Sequence, residues 1–505
     1  MTTVDSAEHE TPAAEVDRCL DAAATAAPEW GQWAPRPRAE ALSAVADALD
    51  AATADLVAAA VTETGLPEAR LTGEVKRTTV QLRMFADLLR DGSCLRIVID
   101  RSDPGYALGA RPDLRRWLVP LGPALVFAAS NFPFAFSVAG GDTASALAAG
   151  CPVLLKAHPG HPATSRLTAD LVRSALLGAG APEGTFDLIT GRGAGVRALR
   201  DPRVAAAAFT GSVAGGRALF DIAASRPSPI PFFGELGSIN PAIVTPEAAR
   251  ERGEQIAEGF VGSFTLGAGQ FCTKPGVLLL PRGTGLPERV AELADGVPPA
   301  RMLTTGIARR YHERLGELAN VAGVKVLTSG REHADPSGIP AVSPALFHAG
   351  PVQNLHEHRD VLLDENFGPS AVIAEYEVDD ALPGLLAAVA GSLTVTVQTS
   401  NRPDGEERAR LAALVEVAAR CSGRVVFNEW PTGVAVTPAQ HHGGPYPATT
   451  AVSHTSVGTA AIERFLRPVT YQNAPDALLP LALRDANPLG LPRIVNEPGD
   501  SGRWR

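Results

Sequence analysis

From Ala13 to Leu56 the chain is rich in alanine, and Val16, Leu20, Leu42, Val45 and Leu49 recur at helical spacing. Pro28, Pro35 and Pro37 interrupt the pattern, which predicts two helices broken at the prolines. A further helix is predicted over 68–90, with Val80, Met84 and Leu88 on its apolar stripe. Residues 1–12 are small and polar without a period and read as disordered. Beyond Arg115 the pattern changes. Arg115-Arg-Trp-Leu-Val-Pro120 reads as a short strand stopped by proline. Strands are then predicted at 125–128, 152–156, 185–189, 204–209 and 231–235, with helices at 137–149, 163–177, 193–199 and 213–224 between them. This alternation gives an α/β class, with a parallel sheet covered by helices on both faces and ligands at the carboxyl ends of its strands. A second α/β region is expected from Pro241 to about Asn428, with strands near 277–280 and 393–398.

Composition narrows the class. A chain of 505 residues is too long for one core, so two or three domains are expected. The apolar fraction of 45% and charged fraction of 20% are those of a globular protein in water. A net charge of −10 with both signs interspersed argues against a nucleic-acid or acidic-membrane partner. Cys19, Cys94, Cys151, Cys272 and Cys421 are odd in number and form no C-x-x-C pair. They fit neither a disulfide framework nor a zinc site, and point to a reducing cytoplasm. His158, His161, His356 and His358 have no metal-site spacing, so no metal is expected. The N-terminus lacks the regions of a signal peptide, and the longest apolar runs are strand-length, so no membrane span is expected.

The chemistry centres on Gly267-Ala-Gly-Gln-Phe-Cys-Thr-Lys-Pro-Gly276, where Cys272 stands among small and turn-forming residues. A thiol there is a candidate nucleophile, although free cysteines are also common as inert core residues. Glu235 follows Phe232, Phe233 and Gly234 at a strand end, where apolar flanks should raise its pKa and suit it to act as a base. Asn131, before Phe132-Pro133, offers an amide to a developing oxyanion together with the Cys272 N–H, or serves as a turn residue. Lys156 ends an apolar strand and should reach the ligand crevice, or else snorkel to solvent. Thr210-Gly211-Ser212 opens a helix and can bind a pyrophosphate, or act simply as a cap. Glu365 and Phe367 are two apart, so in an extended segment one can accept a sugar hydroxyl while the other packs on a flat ring. Gly191-x-Gly193-x-Gly195 lacks the third glycine of the dinucleotide fingerprint at its required position and reads better as a plain turn.

Together these residues resemble the aldehyde dehydrogenase superfamily from about Arg38 to about Arg493. The segments Ala128-Ala-Ser-Asn-Phe-Pro133, Phe209-Thr-Gly-Ser212, Glu235-Leu-Gly-Ser238, Gly269-Gln-Phe-Cys272 and Glu365-Asn-Phe-Gly-Pro369 stand in that family's order and spacing. The resemblance implies a Rossmann-like cofactor domain, an α/β catalytic domain and a small β segment that builds a homodimer or homotetramer. It divides the chain into N-terminal helices of the cofactor domain (1–106), a first β segment (107–120), the cofactor domain (121–238) and the catalytic domain (239–430). A cleft-lining and oligomerising segment (431–475) and a tail (476–505) follow. It makes Cys272 the nucleophile, Glu235 the base and Asn131 the oxyanion donor. Lys156 and Ser212, with Thr210 and Gly211, would hold the adenosine ribose and pyrophosphate, and Glu365 and Phe367 the nicotinamide ribose and ring.

The likeness is greater to the bacterial 2,5-dioxovalerate (α-ketoglutaric semialdehyde) dehydrogenase branch. It rests on Arg111-Pro-Asp-Leu-Arg-Arg116, on the run Ala139–Gly150, on Lys156-Ala-His-Pro-Gly-His-Pro162, on His442–Thr450 and on Ser456–Pro468. The branch and its fatty-aldehyde relatives often prefer NADP over NAD. The loop after Lys156 carries no carboxylate to repel a 2′-phosphate, and His158 or Arg192 could pair with one. His442 is expected to touch cofactor or substrate. Lys274 stands where an asparagine is usual and is a candidate anchor for an anionic substrate. Further departures are the Pro-Phe-Phe-Gly before Glu235 and the missing opening strands. The expected activity is NAD(P)-dependent oxidation of a semialdehyde to its acid. The alternatives are a fatty-aldehyde substrate, CoA rather than water as acyl acceptor, and a non-catalytic protein on the same fold.

Overall fold

A computed structural model describes residues 10–377, 382–387, 389 and 391–500. The disorder expected of residues 1–9 lies outside them, and residues 10–12 lead straight into the first helix. Four helices come first: α1 (Ala13–Gln32), α2 (Pro35–Ala51), α3 (Thr53–Thr64) and α4 (Glu68–Asp91). Pro35 opens α2, where no amide donor is required, but Pro28 lies inside α1 without ending it. The buried face of α1, from Val16 and Leu20 to Ala26 and Trp30, carries the helix through the proline. In α4 the buried face is Leu71, Val75, Leu82, Phe85 and Leu89. Val80, expected in that stripe, is 40% exposed. Five residues separate it from Phe85, about 140° around a helix.

The first strands, β1 (Ile97–Asp100) and β2 (Leu114–Pro120), share a four-stranded sheet with Leu466–Gln472 and Arg493–Asn496. The order is Leu466–Gln472, β2, β1, Arg493–Asn496, with only the last pair parallel. Residues 97–100 and 493–496 therefore belong to the β segment rather than to the N-terminal helices and the tail. Four-residue strands beside long helical or irregular stretches leave too little period to be read.

The alternating region follows as β3 (Ala124–Phe127), α5 (Gly141–Ala149), β4 (Val153–Lys156), α6 (Pro162–Gly178), β5 (Phe186–Ile189), α7 (Arg192–Arg200), β6 (Ala206–Thr210), α8 (Val213–Ala224) and β7 (Phe232–Glu235). The sheet is parallel throughout, in the order β5-β4-β3-β6-β7, so its connections diverge between β3 and β6. Alternate residues pack on opposite faces. Leu125, Phe127 and Leu154 meet Val16 and Leu20 of α1, whereas Ala124, Val126, Val153 and Leu155 join the core of α2 and α4. Burial on both faces explains why these strands read as unbroken apolar runs. Helix α5 starts at Gly141 rather than Ser137 because the preceding residues turn tightly, with Gly141 N–H donating to Ala135 at 3.0 Å.

A second sheet of seven strands is built on β8 (Pro241–Val244), which leads into α9 (Pro246–Thr265), and on β9 (Val277–Pro281). Both strands lie between Ser370–Tyr376 and Ser392–Gln398, and only Lys325–Ser329 runs antiparallel to its neighbour. Among the described residues no helix is long and apolar enough to cross a membrane.

One buried cation ties the N-terminal helices to α5. Arg38 of α2 donates to the carbonyls of Trp30, Gly31, Trp33 and, across to α5, Ala148, at 2.9–3.2 Å. Burial pulls its pKa down to about 10, so it remains charged at neutral pH. Arg38→Met should leave these acceptors without a donor and destabilise the protein by at least about 3 kcal/mol. A urea midpoint, followed by circular dichroism, that matches the wild type would show these bonds to be dispensable.

Candidate active site

The carboxyl ends of β3, β4, β6 and β7 open on one cavity of about 980 Å³, whose wall also includes Cys272, Glu365, Phe367 and His442. The nucleophile loop reaches it through three successive left-handed residues, Gly267, Ala268 and Gly269, with φ of 57°, 57° and 65°. Gly269 has no alternative there, since a Cβ would stand 2.3 Å from the backbone of Gly368. Asn240 holds the loop from below, its Nδ2 donating to the carbonyls of Cys272 at 2.8 Å and Lys274 at 3.0 Å. Its Oδ1 accepts from Ser238 Oγ and Thr394 N, so the amide is fixed at both ends.

The Cys272 Sγ lies 3.6 Å from His442 Nε2. Burial, then the charges of Glu365 and Glu235, push the thiol up to about 12, with Arg77 opposing them. Burial, then Arg424 and Arg77, hold His442 down at about 3. A neutral imidazole therefore faces a neutral thiol, and the burial and cations that keep the ring neutral make it a poor acceptor for the thiol proton. Among the described residues Cys272 is the sole cysteine on the cavity wall.

Glu235 ends β7 and is bridged to Thr449 on the facing segment. Burial raises its carboxyl well above the ordinary 4.5. Arg464 opposes that rise, Asp142 adds to it, and the Thr449 hydroxyl lowers it. Arg464 and Asp142 form a buried ion pair of 2.7 Å, so their effects on Glu235 partly cancel. Glu235 Oε2 is buried with no partner among the described residues, as suits a base that awaits a water. Asn131 donates from Nδ2 to the Gln270 carbonyl at 3.0 Å, which leaves its second N–H for the cavity. Arg70 donates to the Asn131 carbonyl at 2.7 Å.

Lys156, His158, Arg192, Thr210, Gly211, Ser212, Glu365 and Phe367 line the same cavity. Ser212 is a true cap of α8, accepting from Gly215 N–H at 3.2 Å, while its helix end still faces the cavity. His158 accepts from Gly160 N–H at 3.0 Å, and burial, then His161 and Lys156, keep its pKa well below 6.5. It is therefore neutral and adds no charge toward a phosphate. Glu365 sits so close to Gly237 that a Cβ there would fall 2.3 Å from Oε2.

Lys274 departs from expectation. It is buried, and its Nζ donates to the carbonyls of Asn366 at 3.0 Å and Ser370 at 2.7 Å. It is missing from the described residues that line the cavity. Burial lowers its pKa and raises that of Glu365, and the charge of each opposes the shift of the other. The side chain braces the segment that carries Glu365. His442 meets Cys272. Sequence reasoning also passed over Asn240, the Asp142–Arg464 pair, Arg77 and Arg424. Asp142 and Arg464 lie in segments that carry the family likeness, but only the fold sets them beside Glu235.

Residues 3–466 match the profile of the aldehyde dehydrogenase family. The chain is 43% identical over 487 residues to an α-ketoglutaric semialdehyde dehydrogenase of Acinetobacter baylyi, covering 95% of this chain and 91% of the relative. It is 45% identical over 486 residues to α-ketoglutaric semialdehyde dehydrogenase 2 of Azospirillum brasilense, with the same coverage. In fold it is similar to the crystal structure of an NAD-dependent aldehyde dehydrogenase from Sinorhizobium meliloti, with a TM-score of 0.75 at 24% identity, covering 92% of this chain and 88% of that one. The chain belongs to the aldehyde dehydrogenase family.

Proposed function

We propose that the protein oxidises an anionic semialdehyde, 2,5-dioxovalerate or a near relative, to the corresponding acid, with NADP preferred to NAD. The observation that carries the reading is the set of Cys272, His442, Asn131 and Glu235 on one cavity wall with the residues suited to a dinucleotide. The kinship with two semialdehyde dehydrogenases at 43% and 45% identity supports the substrate.

The residues fit a nicotinamide dinucleotide. The capped N-terminus of α8 with Gly211 suits a pyrophosphate. The notch left by Gly237 lets Glu365 reach a ribose, and Phe367 offers a ring face. When bound, that group supplies the hydride acceptor that converts a thiohemiacetal on Cys272 into a thioester. The protein does the rest. Sγ bonds to the aldehyde carbon as the thiol proton is lost to solvent, while the neutral His442 ring stays beside the sulfur. The Asn131 amide and the Cys272 N–H receive the oxyanion. Glu235, as carboxylate, takes a proton from the water that cleaves the thioester and passes it to the departing sulfur, so Cys272 is released as the thiol and the acid departs.

The NADP preference is supported by the carboxylate-free run Lys156-Ala-His-Pro-Gly160 and by exposed Arg192 on the cavity wall. A homodimer or homotetramer through the four-stranded sheet is supported by its solvent-facing edge. Ile494 of that sheet is 62% exposed, and Leu478, just beyond its edge strand, is 78% exposed. The scattered thiols support a cytoplasmic setting.

A panel of 2,5-dioxovalerate, succinic semialdehyde and long-chain aldehydes, each with NAD and NADP, tests the whole reading. Cys272→Ala should abolish turnover of all of them while cofactor still binds, and comparable residual turnover would refute the mechanism. Glu235 works ionised, so activity should be full above its raised pKa and fall as pH drops through it. Glu235→Gln should give a burst of reduced cofactor and then stall as acyl-enzyme. A steady state without a burst would place the base elsewhere. Arg192→Ala should raise the KM for NADP about tenfold relative to NAD. An unaltered NADP-to-NAD ratio would show that Arg192 does not contact the 2′-phosphate.

A further inference from the structure

Arg77 of α4 packs on the aromatic wall of the active-site cavity, and the charge that acts on it most is that of Glu74. Its guanidinium carbon lies 5.3 Å from the ring centre of Phe136 and 5.7 Å from that of Phe132, and both rings line the cavity. The Phe136 ring is 6.2 Å from that of His442, which touches Cys272. No hydrogen bond or ion pair within 4.0 Å joins Arg77 to any described residue, and its Nε is buried without a partner. Its neighbours are partly occupied, Glu74 keeping Oε2 without a hydrogen-bond partner. Glu74, one turn earlier, spends Oε1 on the amides of Phe134 and Ala135 at 2.8 and 3.0 Å. Arg70 stacks on Phe132 and Phe271 but donates to the Asn131 carbonyl. Arg424, in the strand Ser422–Phe427, gives its two Nη groups to the carbonyls of Pro431 and Gly433.

The charges of both Arg77 and Arg424 are felt at His442, and each interacts with Cys272. Positive charge thus collects beside the nucleophile, away from the residues assigned to the cofactor. Arg77 is half-buried and only its Nε is both buried and unpartnered, so its Nη groups stay open to an arriving anion. A carboxylate matches its planar fork, which a lysine cannot copy.

We propose that Arg77 is the anchor for the distal carboxylate of the semialdehyde, holding the chain of the substrate along the Phe132–Phe136 wall while the aldehyde carbon meets Cys272. Arg424 adds charge without being the principal contact. This inference rests on the substrate reading above, and names the cation that Lys274 does not provide.

The test compares kcat and KM for 2,5-dioxovalerate and for pentanal in the wild type, Arg77→Met and Arg77→Lys. In Arg77→Met the ratio of kcat/KM for 2,5-dioxovalerate to that for pentanal should fall about 10- to 100-fold, chiefly through KM for the semialdehyde. Arg77→Lys should recover part of the loss. If the ratio stays at its wild-type value, or both substrates lose equally, the anchor role is overturned. Should Arg77→Met not fold, Arg77→Gln serves the same comparison. A wild-type enzyme with no preference for the anionic aldehyde would instead overturn the substrate reading, and this inference with it.

Discussion

Cys272, Glu235 and Glu365 are withdrawn from water around a single cavity, and the two carboxylates make a negative charge on the sulfur harder to form. Burial is the leading cause of the upward shift of all three. The thiol is pushed further by both carboxylates, so a thiolate and two carboxylates cannot coexist cheaply in that space. In the proposed mechanism the charges therefore form in turn. His442 does not store the proton of the sulfur, because the burial and the two arginines that keep the ring neutral oppose its protonation. Glu235 would serve as an ionised base once the sulfur is tied up in a covalent bond and no longer competes for negative charge. The Asp142–Arg464 pair trims this balance from outside the cavity.

That electrostatic economy depends on the backbone staying put. Two sheets supply the frame: Glu235 ends a strand of the first, and Cys272 and Glu365 lie on segments that lead into strands of the second. Asn240 and the left-handed run at Gly267–Gly269 fix the nucleophile loop by hydrogen bonds and close packing rather than by apolar burial alone. Arg38 does similar work at a distance, because the helix it grips, α5, also carries Asp142.

What could be read in advance follows from how local each signal is. Strands β3 to β7 were legible because burial on both faces leaves continuous apolar runs, and the cofactor-side residues fell at their ends. Pro28 misled because one buried helix face outweighed one lost amide, and Val80 because a three-residue stripe does not define a phase over 24 residues. Strands Ile97–Asp100 and Arg493–Asn496 pair across nearly four hundred residues, which no local pattern records. Cys272, Glu235 and Asn131 stood out by their flanking residues. Lys274, Asn240 and Arg77 get their roles from partners remote in sequence, and only the folded chain shows them.

The brace made by Lys274 has a mechanical meaning. Its ammonium rises from the nucleophile loop and grips the segment 366–370 from beneath, while Gly269 and Gly368 press backbone to backbone beside it. Two loops of different origin are thereby riveted into one plate, with the reactive sulfur near one end and Glu365 at the other. The spacing of the Cys272 sulfur and the Glu365 carboxylate is thus a built dimension of the protein, set by two hydrogen bonds and one backbone contact.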